Sequence, residues 1–244
     1  MINISSVSRR FPGAPIAAVD QVSFSINAGD CAVISGANGS GKTVLMHLIA
    51  GLDRPDTGSI TRAKDELGKP VRIGLVFQDA AAQILGDTPI EDAAFGPLNL
   101  GHTREEAHRI AVDSLKRAGL AGKETYPART LSGGEKRRLA VAGVLAMDAQ
   151  VIIFDEPFAN LDWPGVVQVN TIIRELHSSG KTVVVLTHEL EKVLALSNRL
   201  LILHQGKLVY NGTPEDALSN APFETWGIRN PLGSYTGKAD LLWV

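Results

Sequence analysis

Residues 36–43 read GANGSGKT, a G-x-x-x-x-G-K-T pattern between the apolar run CAVIS and the helically spaced VLMHLIAGL. A glycine-rich turn that opens a helix offers unpaired backbone N–H groups and the positive end of the helix dipole, which suits a phosphate chain. Gly36, Asn38, Gly39, Ser40 and Gly41 would form the cradle, with amides from Asn38 to Thr43 around the phosphates. Lys42 would reach the β and γ oxygens of the phosphate chain, and the Thr43 hydroxyl would ligate Mg²⁺. A tight strand-to-helix turn alone would not explain the lysine. VIIFDE (151–156) brings two carboxylates to the end of an apolar run. Adjacent carboxylates are also common on solvated loops. Behind a buried strand in a phosphate-loop protein they divide the work: Asp155 on the metal, Glu156 polarising the attacking water. TVVVLTHE presents His188 in the same way, within reach of a γ-phosphate, and Gln78 after LVF could reach metal or water.

A second Ser-Gly-Gly turn stands in LSGGEKRR (131–138). Ser132 and Glu135 three residues on make a capping box, so an ordinary helix start with Lys136, Arg137 and Arg138 on a solvated face is one reading. Gly133 and Gly134 favour another. Two glycines weaken a helix by roughly 1 kcal/mol each in its interior, less in the first turn, and are useful where a ligand approaches the backbone.

These residues need a scaffold that delivers strand ends to one edge. VDQVSFSINA (19–28) alternates with Val22, Phe24 and Ile26 on one face, as in a half-buried antiparallel strand. VRIGLVF (71–77), VIIF (151–154), TVVVLT (182–187) and LLIL, turning through HQGK into LVYNG, read as further strands separated by helical stretches. That order predicts an α/β fold: a phosphate-loop core with a mostly parallel sheet, antiparallel strands at the chain ends and an inserted helical lobe at about 79–150. In the lobe, THREEAHRIAVDSLKRAGL has Thr103 as N-cap, Glu106 closing a capping box, Ala107, Ile110, Ala111 and Leu115 on one face, and Gly119 as the stop. One domain over 1–220 is expected, and the tail 221–244, with Trp226 and Trp243, has no legible role.

The bulk numbers bound the partners. A formal net charge of −2 lacks the electrostatic footprint of a duplex-binding protein, so no nucleic acid is expected. Cys31 is the single cysteine, which excludes an intrachain disulfide, points to a reducing compartment and reads as inert core. The N-terminus lacks the apolar stretch of a signal peptide, and no apolar run is long enough to span a bilayer.

Together these motifs, in this order, resemble the ATP-binding subunits of ABC transporters over about residues 2–216. The resemblance implies an ATPase using ATP and Mg²⁺, peripheral on the cytoplasmic face of the cell membrane and docked on integral membrane subunits. It also implies a head-to-tail homodimer, or heterodimer with a related ATPase, in which LSGGE of one copy caps the γ-phosphate of an ATP held by GANGSGKT of the other. By the same resemblance Phe11 stacks on adenine, Gln78 takes the Q-loop place and joins Thr43 and Asp155 near the metal, Asn160, Leu161 and Asp162 fall in the D-loop, and His188 is the switch histidine. GLVFQDAAAQILGDTPIEDAAFGPLNLG, with its second glutamine Gln83, is similar to the ATPases of energy-coupling-factor (ECF) transporters and their cobalt and nickel relatives. That narrower likeness implies uptake of a vitamin or transition metal ion through a transmembrane scaffold and a substrate-capture protein. The chain departs from that group at Asp79–Ala82, at Glu135 and at Phe158 and Asn160, without losing a catalytic group, and an added C-terminal dimerisation domain is not expected. Another ABC importer or exporter is the alternative. A soluble ABC-type ATPase acting on DNA or ribosomes is disfavoured by the absence of heptads, the single ATPase domain and the near-neutral charge.

Overall fold

The computed structural model describes residues 1–64 and 68–233. In chain order it contains β1 (Ile2–Arg9), β2 (Val19–Ile26), β3 (Cys31–Ser35), α1 (Lys42–Ala50), β4 (Thr57–Arg62), β5 (Ile73–Val76), α2 (Ala80–Gln83), α3 (Pro89–Asn99) and α4 (Arg104–Arg117). There follow α5 (Gly133–Ala146), β6 (Val151–Asp155), α6 (Trp163–Ser178), β7 (Thr182–Thr187), β8 (Arg199–His204), β9 (Lys207–Gly212) and α7 (Pro214–Asn220).

Six strands form one sheet in the order β5-β6-β7-β3-β8-β9, parallel except for the β8–β9 pair. A second, antiparallel sheet has the order β2-β1-β4. The α/β class and the mostly parallel sheet are as expected, but antiparallel strands are not confined to the chain ends. β4 follows α1, and its residues TGSITR carry no apolar pattern because only Ile60 packs against the core, partly buried. The predicted strand 71–77 shortens to Ile73–Val76, since the Val71 N–H turns to the Ala63 carbonyl and the Arg72 N–H to Gln150 Oε1.

The parallel strands read as unbroken apolar runs because both their faces are covered. Cys31, Val33, Ile152, Phe154, Val183 and Val185 pack toward α5 and α6, whereas Ala32, Ile34, Val151, Ile153, Val184 and Leu186 pack toward α1 and the antiparallel sheet. Phe158, just past β6, is among the largest fully buried side chains.

Between β5 and β6 the regular elements are helices, with a core of their own around Ala93, Ala111, Leu115, Leu120, Leu139 and Ala142. Capping boxes start α3 at Thr88, α4 at Thr103 and α5 at Ser132. On α4, Ala107, Ala111 and Leu115 face inward as the spacing predicts, and Ile110 is only half-buried. Trp226 lies in a short 3-10 turn, Phe223–Trp226, whereas Trp243 falls outside the described residues. No described helix is long and apolar enough to cross a membrane.

Helix α5 lies directly on β5 because residue 74 is glycine: a Cβ there would stand 2.2 Å from Val144 Cγ1. Gly74→Ala should therefore cost about 1–3 kcal/mol of stability, the usual effect of overpacking a closed core. Adding Val144→Ala should recover part of that loss in denaturant titration.

Candidate active site

The loop between β3 and α1 is held in a socket of backbone. A Cβ on Gly36 would lie 2.3 Å from the Leu203 carbonyl oxygen and 2.4 Å from Ser40 Oγ. Gly41, in the left-handed region at φ 104°, would place a Cβ 2.1 Å from the Ala18 carbonyl oxygen. Asn38 and Gly39 form the exposed tip, Thr43 is exposed, and Ser40 is buried with no hydrogen-bond partner for its hydroxyl. Lys42 is only 6% exposed, and its Nζ donates to the carbonyls of Gly36 at 2.7 Å and Ala37 at 3.3 Å.

Because β3, β6 and β7 are parallel neighbours, their carboxyl ends share one edge. Glu156 Oε1 stands 3.5 Å from Lys42 Nζ, and its Oε2 3.0 Å from His188 Nδ1. The Glu156 backbone has φ 44°, a left-handed conformation that costs a non-glycine residue about 1–2 kcal/mol and is held here by its N–H donating to the Leu186 carbonyl. Asp155 closes β6 beside it, buried, with Oδ1 unpartnered. Burial, then the neighbouring Glu156 charge, pushes the Asp155 carboxyl above the ordinary aspartate range, against smaller opposing pulls from His47 and Lys42. Among the described residues, no three His, Cys, Asp or Glu side chains cluster as a ready-made metal cage. An orphaned buried carboxylate oxygen suits Mg²⁺, which is usually held by one or two protein oxygens plus phosphate oxygens.

Gln78 is exposed and lines a cavity of about 600 Å³ with Asp155, Gly133, Lys136, Arg137 and Asn160. No residue of GANGSGKT lines that cavity. Ser132 is exposed, its hydroxyl accepting from the Glu135 N–H at 3.3 Å while Glu135 accepts from the Ser132 N–H at 2.8 Å. The Lys123 ammonium, then the Ser132 N–H, holds the Glu135 carboxyl down to about 2. The space beside Gly133 is open, whereas a Cβ on Gly134 would meet Gln168 Oε1 at 3.3 Å. The structure therefore brings Lys42, Glu156 and His188 together and leaves Ser132 outside that cluster. Phe11 stands apart as well, 41% exposed, with the Arg9 guanidinium 5.1 Å from its ring centre.

Two contacts were not legible in the sequence. Gln83 straps α2 to the end of β5, donating to the Leu75 carbonyl at 2.9 Å and accepting from the Phe77 N–H at 3.1 Å, which fixes the chain on both sides of Gln78. Arg137, in the basic run expected on a solvated face, is instead buried, with Nε unpartnered. The family resemblance singles out Gln83 but not its two bonds to the end of β5, and the apolar side chains that follow on α5 give the only hint that Arg137 points inward.

A phosphate loop, a strand-end carboxylate pair and a strand-end histidine on such a sheet define a nucleotide-binding cassette. The profile of the ABC transporter family matches residues 19–159, and the chain belongs to that family; it is an ATP-binding cassette ATPase. It is 36% identical over 232 residues to the energy-coupling factor transporter ATP-binding protein EcfA2 of Methanospirillum hungatei, covering 90% of this chain and 57% of that one. The solved structure of cbiO1 from Clostridium perfringens, described as part of the ABC transporter complex cbiONQ, superposes with a TM-score of 0.80 at 27% identity, covering 94% of this chain and 95% of that one. A dimeric post-hydrolysis state of the ATP-binding cassette MJ0796, bound to ADP and Pi, gives 0.74 at 26% identity, covering 88% and 99%.

The raised Asp155 carboxyl sets a stability prediction. Its ionisation opposes folding, so the cost is absent well below 3.8, its ordinary value, grows as pH rises through that value and is complete above its folded one. Asp155→Asn should raise the melting temperature of the nucleotide-free chain at pH 8, with the gain vanishing in acid. The same variant should lose any further stabilisation by Mg²⁺ with ATP.

Proposed function

We propose that this ATPase energises uptake through an ECF-type importer, with a vitamin or transition metal ion of the cobalt, nickel or biotin class as cargo. The observation that carries the reading is the exposed Ser132 turn: Lys42, Glu156 and His188 converge at the strand ends, while the Ser132 hydroxyl, among the described residues, bonds only within its own capping box, and Gly133 opens onto the cavity that Gln78 and Asp155 line. A site divided in this way is completed by a second copy, or a related ATPase, packed head to tail. The names of the EcfA2 and cbiO1 relatives support the importer class. The proposal includes a single cassette over 1–220 with its helical lobe at about 79–150, attached peripherally to the cytoplasmic face of the membrane through a transmembrane scaffold and a substrate-capture subunit.

In this reading GANGSGKT cradles the phosphates, Phe11 covers the adenine, and Lys42 exchanges its two loop carbonyls for β and γ oxygens. Thr43, Asp155 and Gln78 would hold Mg²⁺, which when bound neutralises charge on the phosphates. Glu156 accepts a proton from the attacking water and His188 contacts the γ-phosphate. Ser132, Gly133 and Gly134 of the other copy close over the γ-phosphate with hydroxyl and backbone N–H groups. ATP favours closure only to the extent that it binds the closed pair better than the open one, and these contacts exist only in the closed pair. Cleavage removes them, the copies part, and the membrane subunits move.

Glu156→Gln should retain ATP binding, slow turnover by on the order of 10²–10⁴, the usual worth of a general base, and accumulate an ATP-dependent dimer on gel filtration. Adding Ser132→Arg should abolish that dimer, and a dimer that persists would sink the split-site reading. The importer class is tested by purifying the tagged chain from solubilised native membranes and identifying its companions by mass. A transmembrane scaffold with a small capture protein is the expected result, and recovery of ribosomes or DNA-bound proteins alone would overturn transport.

A further inference from the structure

We infer that the segment after α7, residues 223–228, is a strap that sets the position of the phosphate loop, with Gly227 as a positioning residue for ATP. The inference rests on the reading that GANGSGKT holds the ATP phosphates. Phe223 and Ile228 are 2% and 3% exposed and lie in the same core as Leu200 and Ile202 of β8, so both ends of the strap are anchored. Its middle is tied as well, because His204 Nδ1, at the end of β8, lies 3.2 Å from the Trp226 carbonyl oxygen. Between these anchors Gly227 has φ 70°, and a Cβ on it would stand 3.3 Å from the Cβ of Ala37.

Ala37 is the second residue of the phosphate loop, and its carbonyl accepts from Lys42 Nζ at 3.3 Å and from the Ser40 N–H at 3.1 Å. Apart from its exposed tip at Asn38 and Gly39, the loop is pinned on both flanks. Gly36 abuts the Leu203 carbonyl, Gly41 abuts the Ala18 carbonyl, and the Ser40 carbonyl accepts from the Gly206 N–H at 3.1 Å. A side chain at position 227 would press on the methyl of Ala37, which is fixed to the backbone and cannot swing aside as a long side chain would. The displacement would pass through the Ala37 carbonyl to Lys42 and so to the phosphate oxygens. A glycine at 227 meets two demands at once: a left-handed backbone and close approach to the loop.

The test is ATP affinity by calorimetry and steady-state ATPase kinetics on the full chain, with Gly180→Val as the control. Gly180 has φ 84° and nothing within 4 Å of its Cβ position, in the turn before β7 at the opposite end of the strands, so it reproduces the backbone strain without touching the loop. Gly227→Val should weaken ATP binding and raise KM about tenfold while leaving kcat nearly unchanged, the signature of lost binding rather than lost chemistry. Gly180→Val should lower the melting temperature comparably and leave ATP affinity as it was. Should Gly227→Val fail to fold, Gly227→Ala carries the test: it should weaken binding more modestly, and adding Ala37→Gly should restore part of the affinity. Native affinity in the Gly227 variants, equal weakening by Gly180→Val, or no recovery with Ala37→Gly would each overturn the strap. Unchanged ATP binding by Lys42→Ala would instead overturn the assignment of the phosphate loop itself.

Discussion

β3 lies between β7 and β8, and β7 between β3 and β6, all in parallel. Parallel neighbours must end at the same edge, so the chain leaves the sheet there with the phosphate loop, the Asp155–Glu156 pair and His188 side by side. The register sharpens this, since Ser35 pairs with Thr187 and Asp155 with Leu186. A shift of one residue in β6 would turn Asp155 to the other face and carry Glu156 away from Lys42. Covering both faces of these strands with apolar side chains excludes such slips, and the large α/β core therefore serves the geometry of a few polar groups.

Those groups are held by one another as well as by the sheet. Lys42 is nearly buried, and its charge is balanced by the Gly36 and Ala37 carbonyls and by Glu156. Glu156 is positioned in turn by His188 and by a left-handed backbone whose N–H is taken by β7. Asp155 is the exception, with an oxygen that nothing among the described residues satisfies. An unpaired buried carboxylate is costly in a folded protein and is retained where a ligand completes it.

The helices between β5 and β6 place the second Ser-Gly-Gly turn. Their capping boxes are local, so each helix start is set by residues three apart. Where α5 lies is not local: it depends on the missing side chain at Gly74, which lets Val144 rest on β5. Gln83 adds a polar tie at the same place, so the chain around Gln78 and the helix that begins at Gly133 are both referred to β5.

The sequence by itself determined what depends on near neighbours: the glycine-lysine loop opening α1, the helix caps at Thr103 and Ser132, the doubly buried strands, and polar residues at strand ends. Family resemblance added the ABC ATPase reading from the order of those motifs. Only the tertiary structure decided which groups meet. The pairing of Glu156 with both Lys42 and His188, the unpartnered oxygen of Asp155, the inward turn of Arg137 and the approach of Gly227 to Ala37 join residues far apart in the chain. The reason is physical: spacing encodes which face of an element a side chain occupies, but a contact between elements exists only once burial of both sheet faces has fixed how they pack.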